Sequence, residues 1–171
     1  MSPVGALTHP TVLLVDAHAD TREMYALYLA HAGFNTIEAS DGVSALKRAR
    51  HFQPHVIALE LMAPRLDGYA VCRQLKVDER TRHIPILAVT SLARPSAQGR
   101  AKQVGCVEVL FKPCAPDALL EAIRRTLILA PPSDAMQACA NSRTTLMRED
   151  APSLVGADQP QAPRARKGSR G

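Results

Sequence analysis

Residues 11–129 alternate short apolar runs with longer stretches in which apolar residues recur every three to four positions. The short runs are predicted strands, and the first is apolar almost throughout, which is typical of a strand covered on both faces. The longer stretches are predicted helices. The five predicted strands are Thr11–Val15, Phe34–Ala39, Val56–Leu61, Ile86–Val89 and Val107–Phe111.

The first predicted helix begins at Asp20, which we expect to cap it together with Glu23 in a capping box. Gly33 is expected to end this helix. Helical spacing predicts that its buried face consists of Met24, Leu27, Tyr28 and His31.

The other four helices have clearer limits in the sequence. Asp41 is the expected cap of the second helix and Pro54 ends it, while Pro116 opens the fifth. The third and fourth are predicted over Gly68–Val77 and Ala97–Val104. The positions predicted to face the core are Val43, Leu46, Ala49, Val71, Cys72, Leu75, Leu119, Leu120, Ile123 and Leu127.

This alternation predicts an α/β domain in which helices cover both faces of a parallel sheet. We assign the domain to residues 11–129 and treat residues 1–10 as an N-terminal extension. Residues 130–171 contain several prolines, no aromatic residue and no sustained periodicity. They are predicted to form a disordered Pro- and Arg-containing tail without an output domain, because such a segment buries too little apolar surface to fold.

Composition narrows the classes of partner. The net charge of +5 permits nucleic-acid binding, but the aromatic content is 4% and Trp is absent, so a base-stacking surface is poorly supplied. Only the basic end of the tail, Arg164–Arg170, could contact phosphates, and such contact would be non-specific. We therefore expect no specific nucleic-acid partner.

Cysteine and apolar patterning indicate the compartment. The four cysteines form no C-x-x-C pair, which favours free thiols in a reducing compartment. His51 and His55 are four residues apart, but Pro54 interrupts any shared helix, so we expect no metal site there. Neither a secretory signal nor an apolar run long enough to span a bilayer is visible. A cytoplasmic location without membrane attachment is the expectation.

Polar residues lie at or just after the carboxyl ends of four of the predicted strands. They are Asp16, Glu60, Thr90 and Lys112. The carboxyl ends of parallel strands meet at one edge of a sheet, which is where sites in such folds form. A carboxylate such as Glu60 within an apolar strand requires a partner, and Lys112 is the natural one. The sequence therefore predicts one site at this edge.

The motifs around these residues resemble the receiver domain of two-component response regulators over about residues 11–129. They are Val-Leu-Leu-Val-Asp (12–16), Pro-Arg-Leu-Asp-Gly-Tyr (64–69), Ile-Pro-Ile-Leu-Ala-Val-Thr (84–90) and Phe-Lys-Pro (111–113). The resemblance implies a flavodoxin-like (CheY-like) three-layer fold with strand order 2-1-3-4-5. It also implies a cis peptide bond before Pro113.

In that family a histidine kinase passes a phosphoryl group to an aspartate that ends the third strand. An acidic pair and the acceptor hold Mg²⁺, and a Thr or Ser and a Lys contact the phosphoryl oxygens. Asp16, Thr90 and Lys112 match the family pattern. The acceptor position holds Glu60, and the second position of the acidic pair holds Ala17. The aromatic switch position, three residues before the lysine, holds Val109.

These departures predict a pseudo-receiver that works without Mg²⁺-dependent phosphorylation. Ala17 cannot ligate a cation, so Mg²⁺ binding is expected to be weak or absent, and no other cofactor is implied. Glu60 is one methylene longer than Asp, which displaces the attacking carboxylate. We expect Glu60 to form a standing ion pair with Lys112, within reach of Thr90.

Other functions stay open at this stage. An active receiver with an unusual acceptor would bind Mg²⁺ and form a labile phosphoryl adduct. An enzyme is disfavoured because no G-x-x-x-x-G-K-[ST], G-x-G-x-x-G or G-x-S-x-G motif is present. The family resemblance implies a sensor histidine kinase or a downstream signalling protein as partner. It also allows a homodimer through the fourth and fifth βα units.

Overall fold

The computed structural model describes residues 9–62, 67–91 and 94–129, and within them five strands alternate with five helices. Each predicted element is present, with ends that differ from the prediction by at most two residues. The elements are β1 (Thr11–Val15), α1 (Ala19–His31), β2 (Asn35–Ala39), α2 (Gly42–Phe52), β3 (Val56–Leu59), α3 (Gly68–Val77), β4 (Ile86–Thr90), α4 (Pro95–Gln103), β5 (Glu108–Phe111) and α5 (Pro116–Leu129).

The five strands form one parallel sheet in the order β2-β1-β3-β4-β5, as predicted. Val15, the last residue of β1, pairs with Ala39 on one side and with Leu59 on the other. At the other side of the sheet, Thr90 pairs with Phe111. This register brings the carboxyl ends of the strands to a common edge.

Alternate residues of each central strand enter two separate hydrophobic layers. Leu13 and Ile57 pack on the layer beneath α2 and α3, whereas Val12 and Val56 pack on the layer beneath α1 and α5. The side chains of β1 and β3 are buried almost completely on both sides of the sheet. This arrangement accounts for the continuous apolar runs in the sequence.

The helix limits follow local chemistry. Asp41 caps α2 as predicted, because its side chain accepts the Ser44 N–H at 2.9 Å and the Ser44 hydroxyl completes a capping box. The same helix ends at Gln53, which has a left-handed backbone (φ 47°) directly before Pro54. Asp67 caps α3 by accepting the Tyr69 N–H at 2.9 Å, a role the sequence analysis did not assign.

Two predictions about α1 are wrong. The helix begins at Ala19, and Asp20 lies in its first turn, so Asp20 is not the cap. The buried face consists of Tyr25 and Leu29, whereas the four predicted residues, Met24, Leu27, Tyr28 and His31, are exposed. The helix is apolar on several sides, and its sequence therefore does not specify which side packs on the sheet. Val43 of α2 is likewise exposed rather than buried.

Several predictions concern residues outside those the structure describes. They include most of the N-terminal extension, the tail of residues 130–171 with its basic segment Arg164–Arg170, and the first half of the motif at residues 64–69. The boundaries at residues 10 and 129 therefore remain predictions. Across the described ranges, no helix combines the length and apolar character needed to cross a bilayer.

Candidate functional site

The four polar residues predicted at the sheet edge occupy neighbouring strand ends. Asp16 follows β1, Glu60 follows β3, Thr90 ends β4 and Lys112 follows β5. Asp16, Glu60 and Thr90 are buried, and Lys112 is partly buried. We call Asp16, Glu60 and Lys112 the ion cluster, because these three carry its charges.

The Lys112 ammonium joins the two carboxylates of the ion cluster. Its Nζ lies 2.9 Å from Oε2 of Glu60 and is also directly hydrogen-bonded to Oδ2 of Asp16. The predicted ion pair between Glu60 and Lys112 is therefore confirmed. The contact with Asp16 was not predicted, and it makes Lys112 a bridge between β1 and β3.

The two remaining carboxylate oxygens of the ion cluster also have donors. Oδ1 of Asp16 accepts the His18 backbone N–H at 2.9 Å, and the Nδ1 atom of the same histidine lies 3.1 Å away. Oε1 of Glu60 accepts the Met62 backbone N–H at 3.0 Å. All four carboxylate oxygens are thus engaged within the protein.

These contacts shift the pKa values of two groups. Burial by itself raises the pKa of Asp16, but the hydrogen bonds from Lys112 and from the His18 backbone outweigh it, so this pKa lies below its ordinary value. Burial lowers the pKa of Lys112, but hydrogen bonds to Asp16 and Glu60 reverse the shift, so this pKa is raised. Both shifts favour the charged pair.

Backbone hydrogen bonds set the positions of the cluster residues. The Glu60 N–H donates to the Val15 carbonyl at 2.8 Å, which places Glu60 beside the end of β1. The Lys112 N–H donates to the Thr90 carbonyl at 2.9 Å, which extends the β4–β5 pairing by one residue. The Lys112–Pro113 peptide bond is cis, as the resemblance implies.

The other predicted site residues have distinct surroundings. Thr90 is fully buried, and its reach to Glu60 stays a prediction. Val109 is half-buried and packs against the layer beneath α2 and α3. Ala17 is half-buried beside Asp16 and offers a methyl group where the family pattern has a second acid.

Three side chains that the sequence analysis missed support the site. Arg22 donates to the Asp16 carbonyl at 2.7 Å and to Oε2 of Glu38 at 3.1 Å. The Tyr25 hydroxyl donates to the Cys114 carbonyl at 2.9 Å, and burial raises the pKa of Tyr25 to about 12. His18 contacts Asp16 as described above. Of these three residues, only His18 could have been found from the sequence, because it lies two positions after Asp16.

The donor set does not fit Mg²⁺ as arranged. Mg²⁺ requires near-octahedral oxygen ligation, usually including carboxylates that are free to bind it. Asp16 and Glu60 already share the Lys112 ammonium, and Ala17 supplies no side-chain oxygen. In residues 9–62, 67–91 and 94–129, no group of three or more His, Cys, Asp or Glu side chains is placed to hold a metal ion.

The fold and the ion cluster define a doubly wound α/β domain whose charged site lies at the carboxyl ends of its strands. Residues 12–124 match the response regulator receiver domain family. The chain belongs to this family.

Individual relatives agree with this assignment. The polar-differentiation response regulator DivK of Brucella ovis is 31% identical over 117 residues, which cover 68% of this chain and 95% of DivK. The transcriptional regulator RpaA of Synechocystis is 32% identical over 118 residues, which cover 69% of this chain but only 49% of RpaA. The chain thus spans nearly all of the length of DivK but only about half of the length of RpaA.

Solved structures show the same fold. The chemotaxis response regulator CheY4 of Vibrio cholerae is 30% identical, with a TM-score of 0.66 over 69% of this chain and 98% of CheY4. The receiver domain of the sensor histidine kinase PA1611 of Pseudomonas aeruginosa is 25% identical, with a TM-score of 0.65 over 70% of this chain and 98% of that domain. That receiver coordinates a magnesium ion in its active-site cleft.

Proposed function

We propose that this chain is a pseudo-receiver, a signalling module of two-component systems that acts by protein–protein interaction without Mg²⁺-dependent phosphorylation. The observation that carries the proposal is the position of the Lys112 ammonium between Asp16 and Glu60. In this arrangement the ion cluster holds the site in one state. The proposal includes no catalytic turnover by the chain itself.

The surroundings of Glu60 support a carboxylate that does not act as a nucleophile. Phosphoryl transfer requires an attacking oxygen in line with the leaving group, and displacement by about 1 Å is costly. Both oxygens of Glu60 are engaged, one by Lys112 and the other by the Met62 N–H. Attack by either oxygen would require breaking one of these contacts inside a buried site.

The charge balance also opposes a divalent cation. The ion cluster contains two carboxylates and one ammonium, so its net charge is about −1 when all three groups are ionised. Ala17 stands where the family pattern has a second acid, so the site lacks the further negative charge that this acid would supply. A site with so little excess negative charge attracts Mg²⁺ weakly.

Receiver domains generally interact with histidine kinases or downstream effectors. We propose the surface formed by α4, β5 and α5 as the contact surface for such a protein. A homodimer through this surface is the alternative arrangement. β5 is one of the two edge strands of the described sheet, and Phe111 at its end is partly exposed next to Lys112. Size measurement with and without a candidate kinase separates the two arrangements.

Treatment of the chain with acetyl phosphate and Mg²⁺ tests the proposal. Intact-mass measurement is expected to show the unmodified protein, because both oxygens of Glu60 are already engaged by Lys112 and by the Met62 N–H. A Glu60→Gln variant is the matched control, since it keeps the side-chain length and the acceptor for the Met62 N–H. A stoichiometric phosphoryl adduct that disappears in Glu60→Gln would establish the active-receiver alternative and overturn the proposal.

A further inference from the structure

Two thiols that are 34 residues apart in the sequence meet inside the domain. Cys72 lies on the buried face of α3, and Cys106 lies between α4 and β5. Their Sγ atoms are 3.3 Å apart. Cys72 is 0% exposed and Cys106 is 5% exposed. Packing in one hydrophobic layer therefore holds a dithiol pair that the ion cluster does not use.

Lys76 fixes a positive charge near this pair. It follows Cys72 by one helical turn, and its ammonium donates to the carbonyls of Arg82 at 3.1 Å and Ile84 at 2.8 Å. Its aliphatic stem passes over Gly105, where an added Cβ would lie 2.8 Å from the Lys76 Cγ. The ammonium is thus held by backbone carbonyls before β4, while the stem that carries it lies against Gly105, the residue before Cys106.

The two thiols have unequal acidity. The hydrogen bond with Cys72 lowers the pKa of Cys106; burial opposes this shift, and the Lys76 charge adds to it. The same hydrogen bond and burial raise the pKa of Cys72. Because the thiolate is the reactive form of cysteine, Cys106 is the more nucleophilic partner. It is also the more exposed of the two.

We propose that Cys72 and Cys106 form an oxidative modification site at which hydrogen peroxide generates an intramolecular disulfide. The Cys106 thiolate attacks one peroxide oxygen, the O–O bond breaks, and Cys106 becomes a sulfenic acid while the released hydroxide takes up a proton to form water. Cys72 then attacks the Cys106 sulfur, forming the S–S bond and releasing hydroxide. That hydroxide takes the Cys72 proton, so two thiols and one peroxide give one disulfide and two waters.

The distance between the two sulfurs is not far from that in the product, and the exposure of Cys106 bears on the choice of oxidant. A disulfide bond is about 2.05 Å long, so the two sulfurs must approach by roughly 1.2 Å. The limited exposure of Cys106 favours an oxidant the size of peroxide over a bulky disulfide compound. The product would join α3 to the segment that enters β5. This inference goes beyond the proposed function, because it involves no residue of the ion cluster.

Peptide mapping of the full chain after treatment with hydrogen peroxide tests the proposal. The reduced protein is oxidised while folded, then unfolded and alkylated. We expect a mass lower by two hydrogens, a linked pair of peptides containing Cys72 and Cys106, and full reversal by dithiothreitol. Retention of both thiols, or linkage through Cys114 or Cys139 in their place, would overturn the proposal.

Single substitutions test the role of each residue. In Cys72→Ala, Cys106 is expected to stop at a sulfenic acid that dimedone traps, whereas Cys106→Ala should yield no such adduct at Cys72. Lys76→Met should slow oxidation roughly two- to threefold, because loss of the ammonium raises the pKa of the Cys106 thiol and lowers its thiolate fraction by more than the thiolate gains in nucleophilicity. The matched control is Lys102→Met, which removes an exposed lysine charge from α4. Equal rates for Lys76→Met and the control would contradict the role of Lys76.

Discussion

At the scale of single residues, Lys112 holds together two acids that would otherwise repel. Asp16 and Glu60 are both buried at neighbouring strand ends, and the Lys112 ammonium is the cation that contacts them both. Removing one partner of a buried ion pair leaves an uncompensated charge, which destabilises more than the intact pair stabilises. Lys112 is therefore the residue on which the site's electrostatics depend most.

We predict that Lys112→Met lowers the free energy of unfolding by about 3 kcal/mol at neutral pH. The stability from the lowered Asp16 pKa is present above its unfolded value of 3.8 and is lost as pH falls through the folded pKa. The stability from the raised Lys112 pKa is present below its unfolded value of 10.5 and is lost as pH rises through the folded pKa. Urea unfolding across a pH series measures the deficit.

The deficit of Lys112→Met should consequently shrink toward acid pH, where the Asp16 carboxylate, no longer paired with Lys112, can take up a proton. Lys102→Met, on an exposed side chain, is the matched control and should change stability little at any pH. A pH-independent deficit for Lys112→Met would show that lost packing, rather than unpaired charge, explains its effect.

The sequence was sufficient to predict which residues meet, but not all of their contacts. Strand periodicity placed Asp16, Glu60 and Lys112 at one edge, because parallel strands end together. The Asp16–Lys112 contact depends on how the segments after β1 and β5 approach each other. Side-chain contacts of this kind follow from tertiary packing and leave no periodic signal.

At the scale of elements, the helices differ in how clearly their sequences specify a buried face. The buried residues Val71, Cys72 and Leu75 form one stripe on α3, and its limits were predicted correctly. α1 carries apolar residues on several sides, and tertiary contacts select the side with Tyr25. The prediction of the buried face of α1 failed because its local sequence pattern is ambiguous and long-range contacts determine which side packs on the sheet.

Two aspartates near helix starts test the assignment of helix caps. Asp41→Ala should destabilise the domain by about 1 kcal/mol, because it removes the acceptor for the Ser44 N–H. Hydrogen bonding to the Ser44 backbone lowers the pKa of Asp41, so its contribution is lost as pH falls below the ordinary value of 3.8. Asp20→Ala should have an effect of only a few tenths of a kcal/mol, through the helix dipole. Equal effects in thermal unfolding would contradict the assignment.

Two glycines in helices give opposite predictions. At Gly68, an added Cβ would lie 2.7 Å from the Leu61 carbonyl oxygen and 2.8 Å from that of Glu60. Gly68→Ala should therefore destabilise the domain by about 2 kcal/mol and displace the backbone that carries Glu60. Gly99 has open space around it, and Gly99→Ala should stabilise α4 by up to about 1 kcal/mol. Thermal unfolding of both variants measures the contrast, and a neutral Gly68→Ala would contradict the close packing at β3.

At the scale of the whole molecule, the parallel sheet explains how distant segments form one site. Its strand order places β1 between β2 and β3, and β4 between β3 and β5, so the acids and the lysine converge without being close in sequence.

The predicted boundary at residue 129 implies that the domain folds independently of residues 130–171. A chain ending at Leu129 is expected to keep the thermal midpoint of the full chain within about 2 °C, equivalent to a few tenths of a kcal/mol. A larger drop would place stabilising contacts beyond Leu129.

The central claim is that the ion cluster excludes Mg²⁺-dependent phosphorylation chemistry. Titration of the full chain with Mg²⁺ and beryllium fluoride, a phosphoryl mimic, followed by amide NMR shifts, tests it most directly. We expect no saturable shifts around Glu60, Thr90 and Lys112 in the native sequence. Ala17→Asp combined with Glu60→Asp should introduce such shifts, because the two substitutions restore the acidic pair and the shorter acceptor. Saturable, stoichiometric shifts at these residues in the native sequence would show that the ion cluster does not exclude this chemistry.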